Sequence, residues 1–320
     1  MKRSIFYIFV GLILSTAFFS CNGQKKPVNG RTDTPTSGTI SFVSDESFSP
    51  IVEELRQQFE FDYPKAHLKP IYTDEITGLN MIRDLKACLL ITSRALKPSE
   101  LAYLKSKNQV PSVFPIGYDG LALIVNPNNS DTCITVDNFK RILLGKATKW
   151  NQVVKGSKRG EIEVVFDNAH SATLHYVVDS ILHGHPINSP NIVAAKNSKA
   201  VIDYVHNTPN AIGIIGSNWL NDRGDTTNTT FKKNVHVMSV SIMKEATPMN
   251  SWKPYQAYLL DGRYPFVRTI YAICVDPQQA LPWSFANFLT SPRGQLIIFR
   301  AGLLPYRGDI QIKPVEIKNQ

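Results

Sequence analysis

The sequence has no CxxC pair, no GxSxG elbow, no dense run of lysine or arginine and no internal repeat. Without CxxC, the thiolate spacing that commonly holds zinc is missing. Without the elbow, the exposed nucleophile turn of the α/β-hydrolases is missing too. The formal net charge is +9, but its basic residues are scattered. Nucleic-acid binding needs a basic patch with interleaved aromatics, so nucleic acid is not expected as a partner. Charge of this kind speaks to solubility and encounter rates instead. Charged residues make up 19% and hydrophobic residues 43%, which is too apolar for a disordered chain. The 320 residues suffice for two ordinary domains or one large α/β unit.

Cysteine is scarce, with four in all: Cys21, Cys88, Cys133 and Cys274. Cys21 follows an apolar stretch from Ile5 to Phe19, which itself follows Lys2-Arg3. That stretch is shorter than the roughly 20 residues of a spanning helix and has the form of a secretory h-region. A cysteine just beyond it, after Ser20 and before the polar residues Asn22 to Gly38, resembles a bacterial lipoprotein signal. Residues 1–20 are therefore expected as signal peptide, Cys21 as the lipidated residue and 21–38 as a flexible tether. Phe18 stands where such signals usually carry leucine, and a plain signal peptide with an incidental cysteine is the other reading. Cys88 and Cys274 lie in apolar runs and are expected as buried thiols, with Cys133–Cys274 or another single pair left open.

Past the tether, strand-like and helix-like runs alternate. "GTISFVS" (38–44) reads as a strand, and "SPIVEELRQQFEFDYP" as a helix with Ser49 as N-cap and Pro50 at its first position. "LKPIYT" reads as a strand and "TGLNMIRDLKA" as a helix capped by Thr77; "CLLIT" and "KPSELAYLKS" repeat the pattern. Such alternation argues for a parallel α/β sheet. A helix capped by Thr135 and stopped by Gly145 follows, and the chain ends in two helices, the second capped by Ser291 and ended by Gly302. Long apolar strands at 120–126 and 268–275 bracket the middle third, an arrangement suited to two lobes.

"VVFDNAHSATLHYVVDSILHG" (164–184) is a strand, a polar elbow and a helix opening on Ser171-Ala172-Thr173. Hydroxyls beside unpaired N–H groups at a helix start can cradle an anion. Ser47-Phe48 and Thr77 occupy similar places after strands, where ligands collect in parallel α/β sheets. Ordinary N-capping is the competing account of each. His170 and His175 near Asp167 and Ser171 suggest a hydrolase, but His175 lies on the second turn of the helix that Ser171 begins. "HGH" (183–185) suggests a metal only weakly, and Trp150 and Trp219 read as packing residues.

"YDGLALIVNPNN", "FKRILLGKATKWNQV", "NAIGIIGSNWL", "YPFVRTIYAICV" and "FANFLTSPRGQLIIFRAGLLP" occur in that order. With "SFSPIVEELRQQFEFDYP" and "SRALKPSEL", the set resembles the phosphate-binding protein family of ABC-type phosphate importers over residues 38–308. The resemblance implies an α/β, two-lobed type 2 periplasmic-binding-protein fold, each lobe a mixed, mostly parallel sheet with flanking helices, joined by two crossover strands. The lobes would be 39–122 with 268–320, and 123–267. Members hold a tetrahedral oxyanion in the cleft and pass it to a membrane transporter without catalysis. Ser171 and Thr173 match the family's Ser-Gly-Thr hydroxyls, with Ala172 for glycine, and Ser47 and Phe48 match its first anion-holding loop.

The family's phosphate-pairing arginine would fall at Asp167, its acceptor aspartate near Ser93, and its second-helix serine near Ile76 or Glu75. Arg94 is then the best cation left for the site. Either Asp167 points away or caps a turn, or the ligand is not phosphate. The expected ligand-binding set is Ser47, Phe48, Thr77, Arg94, Ser171, Ala172 and Thr173, with no catalytic residue, cofactor or metal. The expected partners are a small oxyanion (phosphate first), an ABC permease, and a bilayer reached through Cys21 from the periplasm or exterior. The alternative is a surface receptor or sensor with a different small ligand.

Overall fold

The computed structural model describes residues 30–308 except 223 and 226–229, so Cys21 and its signal lie outside the described residues. The chain divides into a unit Met1–Thr32, of which only 30–32 are described, and the compact unit Asp33–Gln320.

Its first third alternates as the sequence predicts: β1 (Ser37–Asp45), α1 (Ser49–Asp62), β2 (Lys65–Thr73), α2 (Glu75–Arg83), β3 (Leu89–Thr92) and α3 (Pro98–Ser106). β4 (Ser112–Val125), β5 (Cys133–Thr135), α4 (Val136–Leu143), β6 (Glu163–Phe166) and α5 (Ala172–Tyr176) come next. α5 runs directly into a π-helical turn, Val177–Ile181. Then follow β7 (Ile192–Ala194), α6 (Ser198–Asn207), β8 (Ala211–Gly216), β9 (His236–Val237), β10 (Ser239–Ser241) and α7 (Gln256–Leu260). β11 (Val267–Cys274), α8 (Leu281–Thr290), α9 (Pro292–Arg300) and β12 (Leu304–Pro305) complete the unit.

Ten strands form one mixed sheet in the order β2-β1-β3-β11-β4-β8-β6-β7, with β9 and β12 also on β4. β1 is parallel to β2 and β3, and β6 is parallel to β7 and β8. β11 runs antiparallel between β3 and β4, so the sheet is not the wholly parallel one that alternation predicts. The decisive strand is β4, eight residues longer at its start than the sequence reading. Pro115 disguises that start; it pairs with Tyr271 where the register shifts, a bulge being one place a strand tolerates the missing N–H. Residues up to Gly120 pair with β11, and Leu121–Val125 pair with β8, so one strand serves both halves of the sheet.

Each half packs helices on both faces. Ile40 and Phe42 of β1 face the cluster built by Ile51, Val52, Leu55 and Phe59 of α1 and Phe285 of α8. Val43, one residue on, faces Leu79 and Ile82 of α2, the period-two alternation of a strand. Each large apolar side chain fully buried contributes about 1.5–3 kcal/mol. That exceeds the spread of helix propensities, so packing rather than propensity holds α1.

Two expected caps are displaced. Ser49 lies inside α1; a 3-10 turn, Glu46–Phe48, leads straight into the helix and is capped by Asp45. α2 is capped by Asp74, which accepts hydrogen bonds from both the N–H and the hydroxyl of Thr77. A carboxylate suits the positive end of a helix better than a hydroxyl. The caps at Thr135 and Ser291 stand where the sequence puts them. Gly145, at φ +71°, ends the turn after α4 in a conformation that only glycine adopts without cost. Cys133 and Cys274 are thiols, not a disulfide. No helix among the described residues is long and apolar enough to cross a membrane.

Candidate anion-binding site

At the junction where β4 leaves β11 for β8, the register sets Arg268 directly opposite Asp119. Both side chains are fully buried. A charge in an otherwise apolar, two-sided strand must find a partner, because burying it alone costs far more than a fold's margin. Asp119 Oδ2 accepts from Arg268 Nε at 3.0 Å and Nη2 at 2.8 Å, and Oδ1 accepts from the Ser217 hydroxyl at 2.8 Å. The carboxylate is thereby saturated.

The guanidinium is not. It lies 4.4 Å over the Phe48 ring, and Nη2 also reaches Ser47 Oγ at 3.2 Å. Nη1 makes one long contact, 3.5 Å to Thr173 Oγ1. Ser47, Phe48 and Thr173 thus meet on a cation that sequence reasoning did not place in the site. Gly216, the last residue of β8, makes room for it: a Cβ there would stand 2.6 Å from Asp119 Oδ2, 2.7 Å from Arg268 Nη2 and 2.8 Å from Asn218 Nδ2.

The loop after β1 closes the cluster from the other half of the sheet. Asp45 Oδ1 accepts from Ser47 N–H at 3.0 Å and from the Ser47 hydroxyl, while Oδ2 accepts from the N–H of Ala172 at 3.1 Å. Ser171 caps α5 by accepting from Leu174 N–H. Glu46 accepts from the N–H and hydroxyl of Ser198 at the start of α6. Asn218 and Trp219 both donate to the Ser47 carbonyl, so Trp219 is a hydrogen-bonding residue as well as a packing one.

Three carboxyls here are pushed up. Burial, and next the charge of Asp167, raise Asp45 to about 6, against the opposing pull of Ser47 and Arg268. Burial raises Asp167 and Glu46 as well. Asp167 Oδ1 accepts from the N–H of Asn168 at 2.9 Å, and hydrogen bonding from Ser171 and Asn168 opposes the effect of its burial.

Arg94 and Thr77 are not brought to Arg268. Thr77 is exposed on the first turn of α2 and committed to Asp74. Arg94 makes a two-nitrogen fork on Glu100 and lies 3.5 Å from Glu75. Both Nη atoms are thus engaged by Glu100. Glu75, fully buried, accepts from Thr92 and Ser93 on one oxygen and pairs with His175 Nδ1 at 3.0 Å on the other. This pair ties the start of α2 to α5. Its hydrogen bond to Glu75 raises His175 against the effect of its own burial. Burial pushes Glu75 up, but the His175 and Thr92 hydrogen bonds outweigh it and leave the carboxyl low.

The signs give a pH window. His175 contributes stability in full below its unfolded value near 6.5 and loses it as pH rises through its higher folded value. Glu75 contributes above its unfolded value near 4.5 and loses it as pH falls through its lower folded one. His175→Gln is therefore expected to flatten the decline of the urea-midpoint profile above about pH 6.5, leaving the acid side in place. An unchanged alkaline slope in the variant would discount the pair.

A cavity of about 960 Å³ opens beside Asn218 and Trp219, lined also by Ser49, Glu53, Lys232 and Arg300. None of the seven predicted ligand residues lines it. Among the described residues no group of three or more His, Cys, Asp or Glu is arranged to hold a metal. Asp45, Asp119 and Arg268 escaped the sequence reading. Arg268 and Asp119 had one available signal: each is a charge at the mouth of a continuous apolar strand, which calls for a buried partner.

The profile of the PBP superfamily domain matches residues 29–293. The chain belongs to the PBP superfamily. This superfamily member is similar to the phosphate-binding protein PstS of Borreliella burgdorferi, 22% identical over 311 residues that cover 95% of this chain and 99% of that protein. Its fold is similar to an ABC-type phosphate transport receptor from Vibrio cholerae, with a TM-score of 0.60 at 20% identity over 84% of this chain and 100% of the other. A structure of PstS from Borrelia burgdorferi gives 0.51 at 20% identity, over 84% of this chain and 99% of the other. The fold is that of the type 2 periplasmic binding proteins. At these identities the structural likeness carries the architecture only.

Proposed function

We propose that the protein is an extracytoplasmic solute-binding protein that captures a small oxyanion, phosphate first, and delivers it to an ABC permease. The observation that carries the reading is Arg268: a buried guanidinium whose Nη1 makes one long contact, to the Thr173 hydroxyl, while its Nη2 reaches the Ser47 hydroxyl. A buried cation donor in that state favours an anionic oxygen, since hydrogen bonds to charged groups are about twice as strong as neutral ones. The names of the relatives point to the same ligand. The ligand cleft would lie between lobes 39–122 with 268–320 and 123–267, meeting across β4 and β11. Cys21 would carry the lipid that anchors the chain to the cell envelope, with 22–38 as its tether. The protein would bind and release without catalysis.

Calorimetry of the full chain in detergent with phosphate, sulfate and molybdate tests this. Phosphate is expected to bind, and Thr173→Val to weaken it about tenfold through loss of one hydroxyl contact at a charged group. No heat with any of the three anions would end the transport reading. A receptor for a different small ligand, without transport duty, is favoured by one feature, the two buried carboxyls of Asp45 and Asp167 beside the cluster.

A further inference from the structure

The Ala172 N–H at the start of α5 already donates to a carboxylate, and that carboxylate belongs to the chain. Asp45 takes the Ala172 N–H with one oxygen and the Ser47 N–H and hydroxyl with the other, bridging segments 127 positions apart. These are the two helix-start loops on which an incoming oxyanion would rest. We infer that Asp45 is a resident carboxylate holding the anion's place, and that it must free the α5 start, by swinging away or by taking up a proton, before an oxyanion binds there. The inference rests on the anion-binding reading above.

The charges around Asp45 decide the direction. Asp167 faces it from the loop before α5, Glu75 from α2 and Arg268 from β11, while Glu46 follows it on its own loop. Arg268 is the one guanidinium among them and already shares its charge with Asp119. An ionised Asp45 beside an oxyanion would therefore add repulsion that one shared guanidinium does not cancel. A protonated Asp45 removes that repulsion and offers a hydroxyl donor in its place. Burial brings its carboxyl up to about 6, within reach of ordinary pH. Oxyanion capture should thus strengthen as pH falls through that value. The binding-competent fraction sets the apparent affinity, so above it each further pH unit should cost wild type up to about tenfold.

The test titrates inorganic phosphate into the full chain and into Asp45→Ala and Asp45→Asn, by calorimetry at about pH 5.5 and about pH 8. Dividing the variant affinity by the wild-type affinity at each pH cancels the titration of phosphate itself. The ratio is expected to rise at least about tenfold between the two pH values for Asp45→Ala. It should rise for Asp45→Asn too, whose near-isosteric amide guards against a packing defect in the alanine variant. Phosphate binding by all three with a flat ratio, or weaker binding by both variants at both pH values, would overturn the inference and leave the proposed function standing. Absence of phosphate binding by all three, wild type included, would overturn both.

Discussion

Arg268→Ala is expected to lower the stability of the protein by about 3–5 kcal/mol, the range for breaking a buried ion pair from one side. The cost comes less from lost attraction than from what is left behind. Asp119 would keep the Ser217 hydroxyl but lose both guanidinium hydrogen bonds while remaining fully buried. Phe48 would lose the cation over its ring, and Ser47 and Thr173 would lose the group on which they converge.

Phosphate binding should fall below calorimetric detection in the same variant. Arg268→Lys should restore part of the stability and little of the binding, since an ammonium is a point charge without the two-nitrogen fork. The double variant Arg268→Ala with Asp119→Ala should be less unstable than the sum of the single ones, because it removes the orphaned carboxylate. Urea denaturation of wild type, the three single variants and the double variant checks this. A loss under about 1 kcal/mol in Arg268→Ala would show that the pair is not fully desolvated.

Gly216→Ala is the second large effect. Its methyl carbon would fall within 2.8 Å of three polar atoms, none of them idle. Asp119 Oδ2 is held by Arg268, Arg268 Nη2 is shared with Ser47, and Asn218 Nδ2 donates to the Ser47 carbonyl. Overpacking of this kind costs about 1–3 kcal/mol. Glycine-to-alanine exchange also restricts the unfolded chain, a gain of about 0.4–1 kcal/mol where the backbone permits it. Collision outweighs restriction, and a net loss of about 0.5–2 kcal/mol is expected with weaker phosphate binding. Gly160→Ala serves as the control, since its Cβ would meet only Asn210 Nδ2 at 3.5 Å. Equal melting temperatures for Gly216→Ala and wild type would mean that the Asp119–Arg268 pair shifts without cost.

Much of the fold was legible because it is written locally. The apolar faces of α1 and α2 recur at helical spacing, and the β1, β3 and β8 runs are β-rich and bounded by turns. Thr135 and Ser291 cap where expected because a hydroxyl before an apolar run has few other uses. The errors also have local causes. Asp74, three positions before Thr77, caps the helix in its place, and Pro115 hid the first half of β4.

The sequence by itself determined the strand-and-helix alternation, the ordered motifs of the binding-protein fold, and two hydroxyls, Ser47 and Thr173, that meet at one buried guanidinium. It could not choose the cation. Arg94 adjoins Ser93, where the family's acceptor aspartate would fall, yet Glu100 and Glu75 hold it; Arg268 lies 95 positions after Thr173 and meets it through the sheet register. Nor could it show that Asp45 and Asp167 are both buried beside that guanidinium. Helix starts and caps depend on neighbours a few residues away. The charge balance of a buried cluster depends on which distant strands lie side by side, and only the tertiary structure decides that.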